Sequence, residues 1–216
     1  MFTGIIEHLG KIAHLEVSPT GGKLTVYAPS LARQHLAVSS SVAVNGCCLT
    51  VVNHDDENFS ADLSGETLAK TSFASLQTGA DVNLEQPLTA GKEFGGHFVL
   101  GHVDGFCRVA HLTAEGDNWW YGVEVPRDLA RYIVSKGSIT IDGISLTVAR
   151  QQNHIAEIAV IPYTYAHTNI RDRVPGDLVN LEGDVLGKYV ERYLEGRASN
   201  GAQSRLTLDR LVSEGF

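Results

Sequence analysis

Apolar and polar residues alternate in short runs along most of the chain. KLTVYAP (23–29), SVAVNG (41–46), CLTVV (48–52), ENFSADLS (57–64) and ADVNLE (80–85) carry this pattern in the first half. WYGVEVP (120–126), SITIDG (138–143), SLTVA (145–149), HIAEIAVIP (154–162) and DLVNLE (177–182) carry it in the second. A period of two places alternate side chains on opposite faces of a strand. Asn45-Gly46 and Asp142-Gly143 stand where hairpins turn. SLARQHLA and RDLARYIV predict one short helix per half, and GETLAKTSFASL and YTYAHTNIRDRV each predict the start of another. Short strands with turns at regular spacing predict an all-β chain built from small closed barrels, since closure removes exposed strand edges.

The halves are copies. Shifted by 97 residues, SVAVNGCCLTV (41–51) falls on SITIDGISLTV (138–148), ETLAKT on YTYAHT, and TGADVNLE on PGDLVNLE. Residues 41–85 share 13 identities with 138–182 without a gap, so two homologous units are expected, each of about six strands. The predicted division is 1–97, 98–185 and a C-terminal segment 186–216. In the last, LGKYVERYLEG (186–196) sets Leu186, Val190, Tyr193 and Leu194 at helical spacing. That stripe must be covered by its own barrels or by copies of the chain. The tail RASNGAQSRLTLDRLVSEGF is expected to begin flexible and end in a further helical turn.

Composition narrows the function. The chain has 216 residues, 43% hydrophobic and 19% charged, with a net charge of −8. It shows no basic stripe for nucleic acid and no apolar run long enough for a membrane span. The start MFTGIIEHLGKIAHLE has charges where a signal peptide needs apolar residues, so a cytoplasmic location is expected. Cys47, Cys48 and Cys107 form no disulfide or zinc pattern. His97 and His102, read as strand residues five apart, point to opposite faces, so no metal site is expected. GGHFVLGHVDG (95–105) lacks the spacing of a phosphate loop.

Specialisation should show where the copies differ. Ile5 becomes His102, Cys48 becomes Ser145, and Ser39 becomes Lys136. Thr50 and Thr147, Thr67 and Thr164, Asn83 and Asn180, and Glu85 and Glu182 persist. The threonines fit strand propensity and capping as well as binding. The Asn-x-Glu pairs fit a hydrogen bond fastening a barrel end to a neighbouring loop. His102 reads equally as structural or functional, and Cys48 as core thiol or nucleophile.

MFTGII (1–6), NGCCLTV (45–51), GGHFVLGHVDG (95–105), KGSITIDGISLTV (136–148), IPYTYAHTN (161–169) and VNLEGDVLGKYVER (179–192) together resemble the alpha-chain riboflavin synthases, built from two lumazine-binding domains. The likeness runs from residue 1 to about 195. It implies two six-stranded Greek-key barrels, a homotrimer joined by C-terminal helices, and a transferase in riboflavin biosynthesis. Two 6,7-dimethyl-8-ribityllumazine molecules would dismutate to riboflavin and 5-amino-6-ribitylamino-uracil, without cofactor or metal, at sites between subunits. Association with lumazine synthase is a further implied partnership. The same fold serves lumazine-binding fluorescence proteins that lack key polar groups. Here Cys48, His102, Ser145 and Thr147 stand where the enzymes have theirs, while Leu100 replaces a usual serine.

The resemblance implies His102 as acid–base group, Cys48 or Ser41 as nucleophile or water-orienter, and assistance from Lys136, Asp184, Asp142 and Ser145. It implies substrate contacts from Gly4, Ile5, Ile6, Cys48, Leu49, Thr50, Asp62, Leu63, Glu66 and Thr67. Further contacts are implied from Gly101, His102, Val103, Lys136, Asp142, Ser145, Leu146, Thr147, Ile161, Pro162 and Thr164.

Overall fold

The computed structural model describes residues 1–34, 36–201 and 213, and of residues 197–201 the backbone only. The expected course of the tail therefore falls largely outside the described residues. Met1–Asp184 form one compact unit and the C-terminal helix belongs to a second.

The first barrel comprises β1 (His8–Ser18), β2 (Gly21–Tyr27), β3 (Ser41–Val44), β4 (Cys47–His54), β5 (Asn58–Ser64) and β6 (Asp81–Glu85). The second comprises β7 (Gly105–Glu115), β8 (Asn118–Glu124), β9 (Ser138–Ile141), β10 (Ile144–Gln152), β11 (Ile155–Val160) and β12 (Leu178–Gly183). Both close antiparallel in the same order, β1-β2-β5-β4-β3-β6 and its counterpart β7-β8-β11-β10-β9-β12. Bulges recur at matching positions, Ile12/His14 with Val109/His111 and Val51/Asn53 with Val148/Arg150. The repeat thus reaches strand irregularities that extra twist requires.

Period two sorts the side chains. On β4, Cys47, Leu49 and Val51 fill the first core while Cys48 and Thr50 face out. On β10, Ile144, Leu146 and Val148 fill the second while Ser145 and Thr147 face out. The helices are shorter than the sequence suggests. α1 is Pro29–Ala32, and its counterpart is a 3₁₀ turn at Ala130–Tyr132. α2 (Gly65–Lys70) and α3 (Pro162–His167) each give way to a 3₁₀ turn after six residues. Thr71 and Thr168 bring this about, for each sits in extended backbone and caps the following turn through its side chain. α4 (Val185–Gly201), described by itself, carries Leu186, Tyr189, Val190, Tyr193 and Leu194 at positions i, i+3, i+4, i+7 and i+8.

The barrels meet across a pseudo-two-fold axis. At its centre lie the two hairpin turns, with Asn45 and Asp142 at φ 44° and 45° and Gly46 and Gly143 at 78° and 81°. A Cβ on Gly46 would stand 2.7 Å from the Gly143 nitrogen, and one on Gly143 2.6 Å from that of Gly46. Around this contact runs a buried polar network. Asn83 Nδ2 donates to the Asp142 carbonyl at 2.9 Å and to Asn169 Oδ1 at 2.8 Å; Asn83 Oδ1 accepts from the Asn169 N–H. Reciprocally, Asn180 Nδ2 donates to the Asn45 carbonyl, and its Oδ1 accepts from the Ser72 N–H. The Asp142 carboxylate accepts from the Asn180 N–H, Asn169 Nδ2 and, at 2.6 Å, Arg173 Nη2.

Asn83→Ala would orphan three buried partners in this network. A loss of about 3 kcal/mol is expected, from the typical cost of unsatisfied buried groups. Urea unfolding with ligand-free protein measures it, and a loss under about 1 kcal/mol would show that the network does not carry the barrel contact.

Candidate functional site

Two extended segments, residues 1–6 and 95–104, cross between the barrels. Phe2 and Val99, 97 apart in sequence, pair antiparallel through Phe2 N–H to Val99 O (2.7 Å) and Val99 N–H to Phe2 O (3.2 Å). Glu85 grips the first segment, accepting from the Thr3 N–H, Thr3 Oγ1 and the Gly4 N–H. Glu182 grips the second, accepting from the Leu100 and Gly101 N–H groups. The Asn-x-Glu pairs are therefore fasteners: Asn ties barrel to barrel and Glu ties a barrel end to a crossing segment.

Each segment then serves the other barrel. The Gly4 carbonyl accepts from the Ser145 N–H of β10 at 2.7 Å, and the Gly101 carbonyl from the Cys48 N–H of β4 at 2.9 Å. Ile6 packs against the second core and Val103 against the first. Gly4 and Gly101 have φ of +77° and +78°, and a Cβ on either would come within 2.7 Å of Ser145 or Cys48. Glycine is needed at both on conformational and steric grounds.

The result on barrel 1 is a cleft of about 380 Å³, within the size range of small-molecule sites. It is lined by Cys47, Cys48, Glu66, Thr67, Lys70, Thr71, Gly101, His102, Val103 and Asp104. Cys48 from the first copy and His102 from the second share it. Burial pushes the Cys47 thiol up to about 12, which leaves that thiol unreactive, whereas Cys48 is half-buried at the cleft wall. Ser64 caps α2 and ties Thr67 through both its N–H and its hydroxyl.

The matching place on barrel 2 has Ser145, Tyr163, Thr164, His167 and Thr168 with Gly4, Ile5 and Ile6. Tyr163 and His167 stack with centroids 4.1 Å apart, where barrel 1 has Glu66 and Lys70. Ser145 Oγ lies 2.7 Å from His97 Nδ1, and His97 Nε2 lies 3.0 Å from Thr140 Oγ1. Burial lowers the His97 pKa below its ordinary value, opposed by the charge of Asp184. His97 and His102 do not lie in a strand, as the sequence reading had them. Left-handed backbone at Gly96 and Gly101 interrupts the run, leaving only the Phe2–Val99 bridge. The two imidazoles serve different barrels.

The remaining sequence-derived residues spread out. Ser41 lines a separate cavity of about 590 Å³ with Gln34, Ser40, Gln86, Pro87, Thr89 and Lys92. It is nevertheless paired with Thr50 across β3–β4, so both share a barrel face with Cys48. Leu49, Leu63 and Leu146 are core residues. Asp142 is 1% exposed and engaged by Asn169, Asn180 and Arg173, so its carboxylate belongs to the barrel contact rather than to a ligand edge. Thr50, Asp62, Lys136, Thr147, Ile161 and Pro162 are exposed, and Asp184 is half-buried after β12. Lys70, Tyr163, His167 and His97 were not among the predicted site residues. Helical spacing from Glu66 and from Tyr163 points to Lys70 and His167, while no periodicity points to His97.

Two barrels, each completed by a segment held in the other, define a tandem ligand-binding protein, and the model of the lumazine binding domain matches residues 3–87 and 100–184. The chain is 41% identical over its whole length to the whole of riboflavin synthase from Actinobacillus pleuropneumoniae. It is 40% identical over 199 residues, 90% of this chain and 98% of the other, to that of Mycobacterium bovis. It belongs to the riboflavin synthase family of lumazine-binding proteins. Among solved structures, LumP complexed with riboflavin superposes with a TM-score of 0.79 at 27% identity, covering 85% of this chain and 99% of that one. LumP complexed with 6,7-dimethyl-8-(1'-D-ribityl) lumazine gives 0.77 at 26%, covering 84% and 98%.

Gly101→Ala places a methyl group against Cys48 in a backbone conformation that alanine resists. Lumazine affinity at the barrel 1 cleft is expected to fall at least about tenfold, since strain of this kind costs on the order of 1–3 kcal/mol. Fluorescence titration reads it, and unaltered affinity would show that the crossing segment does not form the cleft wall.

Proposed function

We propose that the chain dismutates 6,7-dimethyl-8-ribityllumazine. One molecule donates a four-carbon unit to another, giving riboflavin and 5-amino-6-ribitylamino-uracil. The observation that carries this reading is a pair of matching places with unlike polar groups, Cys48 and His102 at the barrel 1 cleft and Ser145 with His97 at the equivalent place on barrel 2, in a chain of this family. Two identical substrates need unlike roles, and a duplicated binder with divergent side chains supplies them.

The reaction needs a proton removed from the acidic C7 methyl of the acceptor and an addition at C7 of the donor. His102 is the acid–base group at the barrel 1 cleft, since imidazole is the side chain that most often carries a proton in catalysis. Cys48 performs or stabilises the addition there, with Ser41 as the rival on the same barrel face. Thr50 and Thr147 read the ring edges, Thr67 and Thr164 the ribityl chain, and Lys136 and Asp184 contribute charge. Holding two rings face to face removes much of the entropic barrier.

The productive site lies between barrel 1 of one subunit and barrel 2 of its neighbour in a homotrimer, with the apolar stripe of α4 joining the subunits. Association with lumazine synthase belongs to the same reading, because that partner would deliver the substrate. We place the protein in the cytoplasm; among the described residues no helix is long and apolar enough to cross a membrane. The likeness to LumP favours a second reading, a carrier that holds a chromophore without turnover.

Incubation with the lumazine and no additive is expected to yield one riboflavin per two substrates consumed. Binding without product would move the protein into the carrier class. Ending the chain before Val185 is expected to give monomers with turnover reduced at least about tenfold, as lost positioning of the second ring requires. Light scattering showing a trimer after truncation would assign the assembly to the barrels.

A further inference from the structure

His97 stands in the crossing segment that opens the second copy, in the run GGHFVLGHVDG. Its imidazole is 7% exposed and set between two strands. The His97 backbone N–H donates to the Thr3 carbonyl at 3.2 Å. Gly96 makes the approach possible, with φ +63° and space for a Cβ only 2.1 Å from that carbonyl oxygen.

The hydroxyls that flank the ring are specific to the second copy. Ser145 and Thr140 are direct cross-strand neighbours on β10 and β9. Their counterparts on β4 and β3 are Cys48 and Ala43, also cross-strand neighbours, which pack with Phe2 and Val99 in an apolar cluster. Two positions thus differ in concert. Where barrel 1 has an alanine and a thiol, barrel 2 has Thr140 and Ser145 joined through His97 in one hydrogen-bonded chain. A buried imidazole needs partners for both nitrogens, and replacing either hydroxyl by its first-copy residue would remove one. This accounts for serine at 145 where the first copy keeps cysteine.

The ring's surroundings define its chemistry. β9 and β10 offer it hydroxyls, and the residue after β12 offers the charge of Asp184. With hydrogen on Nε2 given to Thr140 Oγ1, Nδ1 accepts the Ser145 hydroxyl. Ser145 Oγ then keeps lone pairs to accept from a ligand at barrel 2.

We infer that His97 is a positioning residue for Ser145, holding its hydroxyl in one orientation and receiving its proton when Ser145 Oγ takes a proton from the ligand at barrel 2. In that step a new O–H bond forms on Ser145 as its original one breaks, and the released proton binds His97 Nδ1. The imidazolium donates to Ser145 Oγ and Thr140 Oγ1, so both N–H groups remain bonded, and Asp184 supplies the opposing charge. The reverse transfer returns the proton to the product side, and no electrons change hands. The inference rests on the dismutation reading for the identity of the ligand.

Steady-state kinetics on 6,7-dimethyl-8-ribityllumazine with full-length parent, His97→Gln, Ser145→Ala and the double variant provide the test. Each single variant is expected to lose about 10- to 100-fold in kcat, the lower range for acid–base assistance, with KM within about threefold of the parent. The double variant should be no slower than the worse single one. The parent's kcat should fall with acid below pH 6.5, the ordinary histidine value, as the lowered His97 pKa is crossed, and His97→Gln should lack that limb. Parent-like kcat in His97→Gln, an effect on KM alone, or losses that multiply would overturn the inference. Nitrogen-15 spectra of the parent imidazole settle the case if the variant does not fold. Neutral His97 with bare Nδ1 and protonated Nε2 is expected at pH 7; a protonated Nδ1 would refute it. Should the parent form no riboflavin, the dismutation reading fails by itself, and the same spectra with bound lumazine still decide whether His97 and Ser145 exchange a proton.

Discussion

The structure depends on two backbones being allowed to touch. At Gly46 and Gly143 the hairpin turns of the two barrels approach so closely that a methyl group on either would overlap the other's nitrogen. From that contact outward the arrangement is forced. The turns bring Asn45 and Asp142 beside the barrel-end asparagines, and their mutual hydrogen bonds join one barrel to the other. Buried polar networks have a definite geometry only when their members are satisfied together. Here that geometry places the barrel ends, and with them Glu85 and Glu182, where each can seize a crossing segment.

Symmetry in the scaffold is what makes asymmetry in the chemistry economical. The backbone grips on Gly4 and Gly101, the barrel-end glutamates and the inward faces of β4 and β10 are common to both halves. Outward-facing positions are free to differ, because changing them disturbs neither core. Cys48 and Ser145 occupy such positions, as do Glu66 and Tyr163. The acidic and basic rim of the barrel 1 cleft and the stacked aromatic pair at the equivalent place on barrel 2 are therefore alternatives on one framework.

The sequence disclosed the features that are local or repeated. Period-two runs and the Asn-Gly and Asp-Gly turns located the strands, and the constant offset located the second barrel. The reading of the Asn-x-Glu pairs as fasteners of a barrel end to a neighbouring loop holds for Glu85 and Glu182, whereas Asn83 and Asn180 bond across to the other barrel. Less legible was anything set by contacts distant in sequence. Asp142 looked like a ligand-facing acid because its partners Asn169 and Arg173 lie beyond any local pattern. The 95–105 run looked like a strand because left-handed glycines leave no periodic trace. His97 did not emerge from comparing the copies, because its partners Ser145 and Thr140 lie 48 and 43 residues away along the chain.

The exchange of segments between barrels carries a consequence for how such a chain could arise. A single copy holds a core and a cleft floor, but the strip that completes the cleft reaches outward to someone else's barrel. Alone, it would be finished only by meeting its twin, at whatever concentration the cell provided, and both clefts would then be identical. Joining the copies in one chain converts that encounter into an intramolecular event with a fixed effective concentration. It also releases the twins from having to mutate in step. The linker thus does more than connect: it is the reason the two halves could become different from each other.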